Sequence, residues 1–154
     1  MRVAAAPGAL RPGAVLFACG LNAIRSPMAE AILKQLFPRQ IYVQSVGARR
    51  GETDPFAVAV MEELGLDISK HRPQTFDDLE DTHFDLVITL APEAHHKALE
   101  LTRTEAIDVE YWPTLDPGLA TGSREQILDS YRAVRDGLME RIKDRFDWNP
   151  VPGD

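Results

Sequence analysis

Four short apolar runs punctuate the chain: AVLFA (14–18), IYVQSV (41–46), FDLVITL (84–90) and AIDVEYW (106–112). Each has strand length and a β-branched or aromatic content that fits a pleated sheet. The segments between them carry helical spacing instead. Met28, Ile32, Leu33 and Leu36 make one stripe, and Phe56, Val60 and Leu64 a second that stops at Gly65. Asp54 is placed to cap that second helix, with Pro55 at its first position. Pro92 opens a third, with Ala94, Ala98 and Leu101 turned inward, and Ser123 with Gln126 forms a capping box before a fourth. The stripe of that last helix runs through Ile127, Tyr131, Val134, Leu138 and Ile142. Strands that alternate with helices need right-handed crossovers, which place the helices on both faces of a parallel sheet. The expected fold is α/β, a four-stranded parallel sheet covered on both sides.

A chain of 154 residues with 44% hydrophobic content is enough for one packed core, so residues 1–154 are expected to form a single domain. Residues 1–13 read as an N-terminal extension and 147–154 as a tail, both loosely ordered. No apolar run approaches the roughly 18 to 20 residues of a membrane span. Pro7, Gly8, Pro12 and Gly13 interrupt any signal-peptide core, so a cytoplasmic location is expected. One cysteine permits no internal disulfide, which suits the same reducing compartment. A formal charge of −7 repels a phosphate backbone at long range, and neither nucleic acid nor membrane is expected as a partner. Nothing in the sequence speaks to oligomeric state.

The lone cysteine sits where the first strand feeds the first helix, in CGLNAIRS (19–26). Ligands of open α/β sheets bind at this end of the strands. Such a loop can turn successive backbone N–H groups inward as a nest, and the helix adds its positive end. Its natural occupant is an anion. Neither G-x-x-x-x-G-K-[ST] nor G-x-G-x-x-G is present, which removes the main support for a nucleotide. What the loop does hold is a thiol, Cys19, and six residues later a guanidinium, Arg25. Helix N-termini and neighbouring arginines stabilise thiolates. The arginine fork donates in parallel to two oxygens of a tetrahedral oxyanion. These parts describe transfer of a phosphoryl group to sulfur, with Gly20, Leu21, Asn22, Ala23, Ile24, Arg25 and Ser26 around the oxygens.

The stretch VLFACGLNAIRSPMAEAI resembles the phosphate-binding loop of the low-molecular-weight protein tyrosine phosphatases and of the arsenate reductases that share their fold. SVGARRGETDPFAVAVMEELGLDISKHRPQTF, FDLVITLAPEAHHKAL and WPTLDPG are similar to later segments of that family. The resemblance implies Cys19 as nucleophile, Arg25 as phosphate clamp and Ser26 as hydroxyl donor to the thiolate. It implies that Asn22 shapes the loop through hydrogen bonds to Ser45 and His71, that Asp116 is the general acid, and that no metal or cofactor takes part. The implied ligands are phosphate or another oxyanion in the loop and, as substrate, a phosphotyrosine protein or a small aryl phosphate. The chain also departs from the family: CGL replaces the commoner order, Ile24 stands where many members carry a second loop cysteine, and GLATGS follows Asp-Pro where phosphatases often have tyrosines.

Two other readings belong beside phosphoester hydrolysis. Arsenate reduction shares the oxyanion loop, but with one cysteine it needs an external thiol to complete the cycle. A non-catalytic oxyanion or phosphoprotein sensor would keep the loop without turnover. The E-x-x-H pairs Glu80/His83 and Glu93/His96 lack the two further glutamates of a di-iron site and read as solvated surface.

Overall fold

The computed structural model describes residues 11–80 and 83–150. Four strands, β1 (Ala14–Cys19), β2 (Tyr42–Gly47), β3 (Leu86–Thr89) and β4 (Asp108–Tyr111), form one sheet in the order β2-β1-β3-β4. Every pairing is parallel, with Cys19 opposite Gly47 and Ala18 opposite Thr89. Helices α1 (Arg25–Leu36), α2 (Pro55–Glu62), α3 (Pro92–Leu101) and α4 (Arg124–Arg145) fill the intervals. Short 3-10 turns occur at Phe76–Asp78 and Pro117–Leu119. The expected α/β architecture, a four-stranded parallel sheet with helices on both faces, is what the chain adopts.

Side-chain alternation along β1 divides the core. Val15, Phe17 and Cys19 face the layer made by α1, α2 and α4, where Met28, Ile32, Leu33, Val60, Met61, Leu138 and Ile142 pack. Leu16 and Ala18 face the other side, against Val87 of β3 and Ala94 and Ala98 of α3. Burying each of the large aliphatic side chains removes it from water at a gain of roughly 1.5–3 kcal/mol. The chain leaves β1 toward β2 on one side and crosses to β3 on the other, so the carboxyl end of β1 opens at the point where strand order reverses. That crevice is where open α/β sheets bind ligands.

Local signals act as their chemistry requires. Asp54 Oδ1 accepts from the N–H groups of Phe56 and Ala57 at 2.8 and 3.1 Å, and the Ser123/Gln126 capping box is formed. The buried stripe of α4 differs from the apolar pattern: it includes Arg135, 7% exposed, while Ile127 and Val134 are only partly covered. Arg135 is tolerated because it donates to Val60 O and Glu63 Oε1, each at 2.7 Å, and to Asp136 Oδ1 at 2.8 Å. Leu101, expected to face inward, is half-buried at the end of α3.

Residues 1–10 and 151–154 of the expected extension and tail lie outside the described residues. In what remains, Arg11 stacks 4.5 Å over the Phe37 ring and donates to Phe146 O, while Trp148 packs on the core and its N–H reaches Lys143 O at 2.9 Å. Among the described residues no helix is long and apolar enough to cross a membrane.

Candidate active site

The segment from Cys19 to Arg25 leaves β1 and enters α1. Its carbonyls are engaged on the outside. Cys19 O accepts from Ala48 N at 2.9 Å, Gly20 O from Arg49 N at 2.8 Å and Leu21 O from Gly51 N at 2.8 Å. Asn22 O lies 3.1 Å from His71 Nε2, and Ile24 O accepts from Met28 N. A trans peptide points its N–H opposite its C=O. The five peptide units therefore turn the N–H groups of Gly20, Leu21, Asn22, Ala23 and Arg25 inward, and none of them finds an acceptor among the described residues. This is an anion nest whose curvature is imposed by the neighbouring GARRG segment.

Gly47 makes that imposition possible. A Cβ there would fall within 2.7 Å of Asn22 N and Leu21 C and would also strike Arg49 O, so no larger residue lets the end of β2 lie against the loop.

Asn22 pins the loop from behind. It is fully buried and adopts a left-handed backbone (φ 56°), a conformation asparagine tolerates better than most residues. Its Nδ2 donates to Ser26 Oγ at 2.8 Å and to Ser45 Oγ at 3.0 Å, and its Oδ1 accepts from Gln74 N at 2.9 Å and faces His71 Nε2 at 3.0 Å. Ser26 Oγ stands 2.9 Å from Cys19 Sγ and 3.3 Å from Val46 O, so its proton has two acceptors within reach. A charged sulfur would be the stronger of the two.

Across the mouth, Arg25 donates from Nη1 to Thr114 O at 2.9 Å, and its Nη2 lies 3.9 Å from Asp116 Oδ2. Asp116 also accepts from Gly118 N at 2.9 Å, which fixes it as the cap of the 117–119 turn. Cys19, Leu21, Ala23, Ile24, Arg25 and Asp116 line a cavity of about 30 Å³. All eleven residues singled out from the sequence thus fall in one region: Cys19 to Ser26 in the loop, Ser45 and His71 behind it, Asp116 in front.

Several supports were invisible in sequence. Ser45 Oγ donates to Glu30 Oε1 at 2.5 Å, and Lys34 holds the other Glu30 oxygen. Glu30 lies four residues after Ser26 on α1, a spacing that shares a helix face and could have flagged it. Thr114 and Gln74 had no local signal, while Asp54 and Tyr131 were legible only as a helix cap and a member of an apolar stripe. Tyr131, 2% exposed, donates to Asp54 Oδ2 at 3.0 Å, and burial followed by that carboxylate pushes its phenol well above the ordinary range. Of the E-x-x-H pairs, Glu93 is ion-paired with Arg49 at 3.2 Å. His95, beside His96, instead approaches Thr89 Oγ1 at 2.9 Å through Nδ1 and stacks on Tyr111.

A sequence model described as low molecular weight phosphotyrosine protein phosphatase matches residues 14–147. The chain belongs to this family. An arsenate reductase of Bacillus subtilis is 33% identical over 130 residues, which cover 84% of this chain and 92% of that protein. Among solved structures, an arsenate reductase in a phosphate-binding state is 31% identical with a TM-score of 0.69, covering 87% of this chain and 96% of that one. A low-molecular-weight protein tyrosine phosphatase from T. tengcongensis is 25% identical with a TM-score of 0.70, covering 87% and 97%. The phosphatase family fold thus holds proteins named for both chemistries, and membership by itself does not choose between them.

Proposed function

We propose that this family member is a cysteine-dependent phosphomonoester hydrolase acting on a protein phosphotyrosine or a small aryl phosphate in the cytoplasm. The observation that carries the reading is the inward N–H nest and Arg25 gathered around the chain's only thiol, with a carboxyl group at the mouth. Cys19 Sγ attacks phosphorus and the bond to the ester oxygen breaks, while Asp116 protonates that oxygen as it leaves. Arg25 and the N–H groups hold the equatorial oxygens, whose charge they stabilise without reorganising. In the second half, Asp116 takes a proton from water, water oxygen bonds to phosphorus, and sulfur leaves as the thiolate with Ser26 Oγ donating to it.

The names of the related arsenate reductases favour a second reading. Reducing As(V) to As(III) needs two electrons, and Cys19 can supply only its share. An external thiol such as glutathione would supply the rest by forming a mixed disulfide with Cys19, which another external thiol then reduces.

One experiment separates these: hydrolysis of p-nitrophenyl phosphate by the wild type and Cys19→Ser with EDTA present, and arsenate-dependent glutathione oxidation in parallel. Phosphate release that disappears in the serine variant supports the hydrolase. Glutathione oxidation without phosphate release supports the reductase. Oxyanion binding with neither activity would make the protein a sensor.

A further inference from the structure

A second cavity, of about 660 Å³, lies between the 113–120 segment and the outer face of α4. That volume falls in the range of small-ligand sites. Its walls include Leu115, Leu119 and Val134, and its floor Ala133 and Gly137. Leu115 and Leu119 are 85% and 80% exposed, so the groove presents two large apolar side chains to solvent.

Gly137 is the informative residue. Glycine weakens the middle of a helix, and this one sits well inside the 22-residue α4. Its φ is not positive, and a Cβ placed on it would meet nothing within 4 Å. Neither backbone geometry nor packing within the chain therefore accounts for it. The glycine leaves the helix backbone bare and the space above it open at the groove floor.

Charge gives the groove a direction. Arg141 closes one end, its guanidinium 4.8 Å over the Trp112 ring, and among the described residues no carboxylate pairs with it. Three other arginines of the same helix, Arg132, Arg135 and Arg145, each hold a carboxylate. Arg124 and Lys143 of the same helix also sit over rings, those of Phe56 and Trp148, but of the three only Arg141 lines the groove. The segment carrying Asp116 meets the other end of this stretch of helix: a Cβ on Gly118 would lie 3.8 Å from the Tyr131 hydroxyl, and Ser130, which also lines the groove, is eleven residues or roughly 16 Å along the helix from Arg141.

We infer that this groove binds a small amphiphile, an apolar chain or ring system bearing one carboxylate. The carboxylate meets Arg141, and the apolar body lies over Gly137 between Val134 and Leu119, away from Asp116. Asp116 lines this groove and the cavity over Cys19 alike, so an occupant rests against the segment that carries it.

The test is calorimetric titration of the full chain with decanoate, with decyltrimethylammonium as the chain of opposite charge and inorganic phosphate to report the Cys19 loop in each variant. One saturable decanoate site is expected, with no matching site for the cation. Arg141→Gln should weaken decanoate about fivefold, the scale of one exposed ion pair. Gly137→Leu should fill the floor and abolish binding, leaving phosphate affinity and Tm at least at wild-type level. Absence of saturable binding by the wild type, equal binding of the cation, or undiminished binding in Gly137→Leu would each overturn the inference. Should Gly137→Leu not fold, unchanged affinity in Arg141→Gln overturns it alone.

Discussion

The Tyr131 hydroxyl donates to Asp54 Oδ2 at 3.0 Å while Asp54 Oδ1 caps α2, so one carboxylate joins the start of α2 to the middle of α4. The same hydroxyl lies 3.8 Å from where a Cβ on Gly118 would be, two residues past Asp116. Replacing Tyr131 with Phe removes the donor and leaves a carboxylate oxygen unsatisfied, at about 1–2 kcal/mol. The raised phenol pKa sets the sign of its pH dependence: its stabilisation is complete below the ordinary value of 10.0 and is lost as pH rises through the higher folded value. Thermal melts from neutral pH to above 10 should show the wild type losing stability more steeply than Tyr131→Phe. Parallel slopes would contradict the linkage.

Asp116→Asn distinguishes a general acid from a structural cap. A turn cap survives the change, because an amide oxygen still accepts from Gly118 N. Proton delivery does not. Turnover of phenyl phosphate should fall by about 10² or more, and that of p-nitrophenyl phosphate, whose leaving group needs little help, by much less. Equal losses on the two esters remove the proposed role.

Asn22→Ala removes four hydrogen-bonding contacts behind the nest and leaves alanine in a left-handed conformation. The backbone term alone is about 1 kcal/mol. Competitive inhibition by inorganic phosphate should weaken together with kcat/KM, since the same N–H groups serve both. An unchanged phosphate inhibition constant would mean the loop holds its shape without Asn22.

For Gly47→Ala the outcome follows from distance. A methyl 2.7 Å from Asn22 N forces β2 away from the loop, and with it the N–H donors of Ala48, Arg49 and Gly51. A loss of about 1–3 kcal/mol is expected, read from chemical denaturation, with phosphate affinity reduced in the fraction that folds. Wild-type values for both would show that the segment shifts freely.

Acid stability should report Glu63. Hydrogen bonds from Arg132 and then Arg135 bring its carboxyl from 4.5 to about 2, so the stabilisation is complete above pH 4.5 and fades as pH falls through about 2. Glu63→Gln should flatten the wild-type decline across that window. A decline of the same steepness in the variant would place the acid sensitivity elsewhere.

Much of this protein is written locally. Strand-length apolar runs, the Asp54-Pro55 cap and the Ser123/Gln126 box determine the order and type of elements, because each depends on residues within one turn or one strand of each other. The same holds for the spacing of Cys19, Asn22, Arg25 and Ser26, which a single loop carries. Tertiary structure alone decided how that loop faces. Its carbonyls are drawn outward by Ala48, Arg49, Gly51 and His71, and its arginine is steadied by Thr114, 89 residues away. Arg135 reads as a solvated break in the α4 stripe until Val60 and Glu63, 75 and 72 residues distant, give it partners inside. The open floor at Gly137 exists only where another segment walls it. A hydrogen bond across such separations leaves no periodicity in the chain, since either partner taken alone looks like an ordinary polar residue.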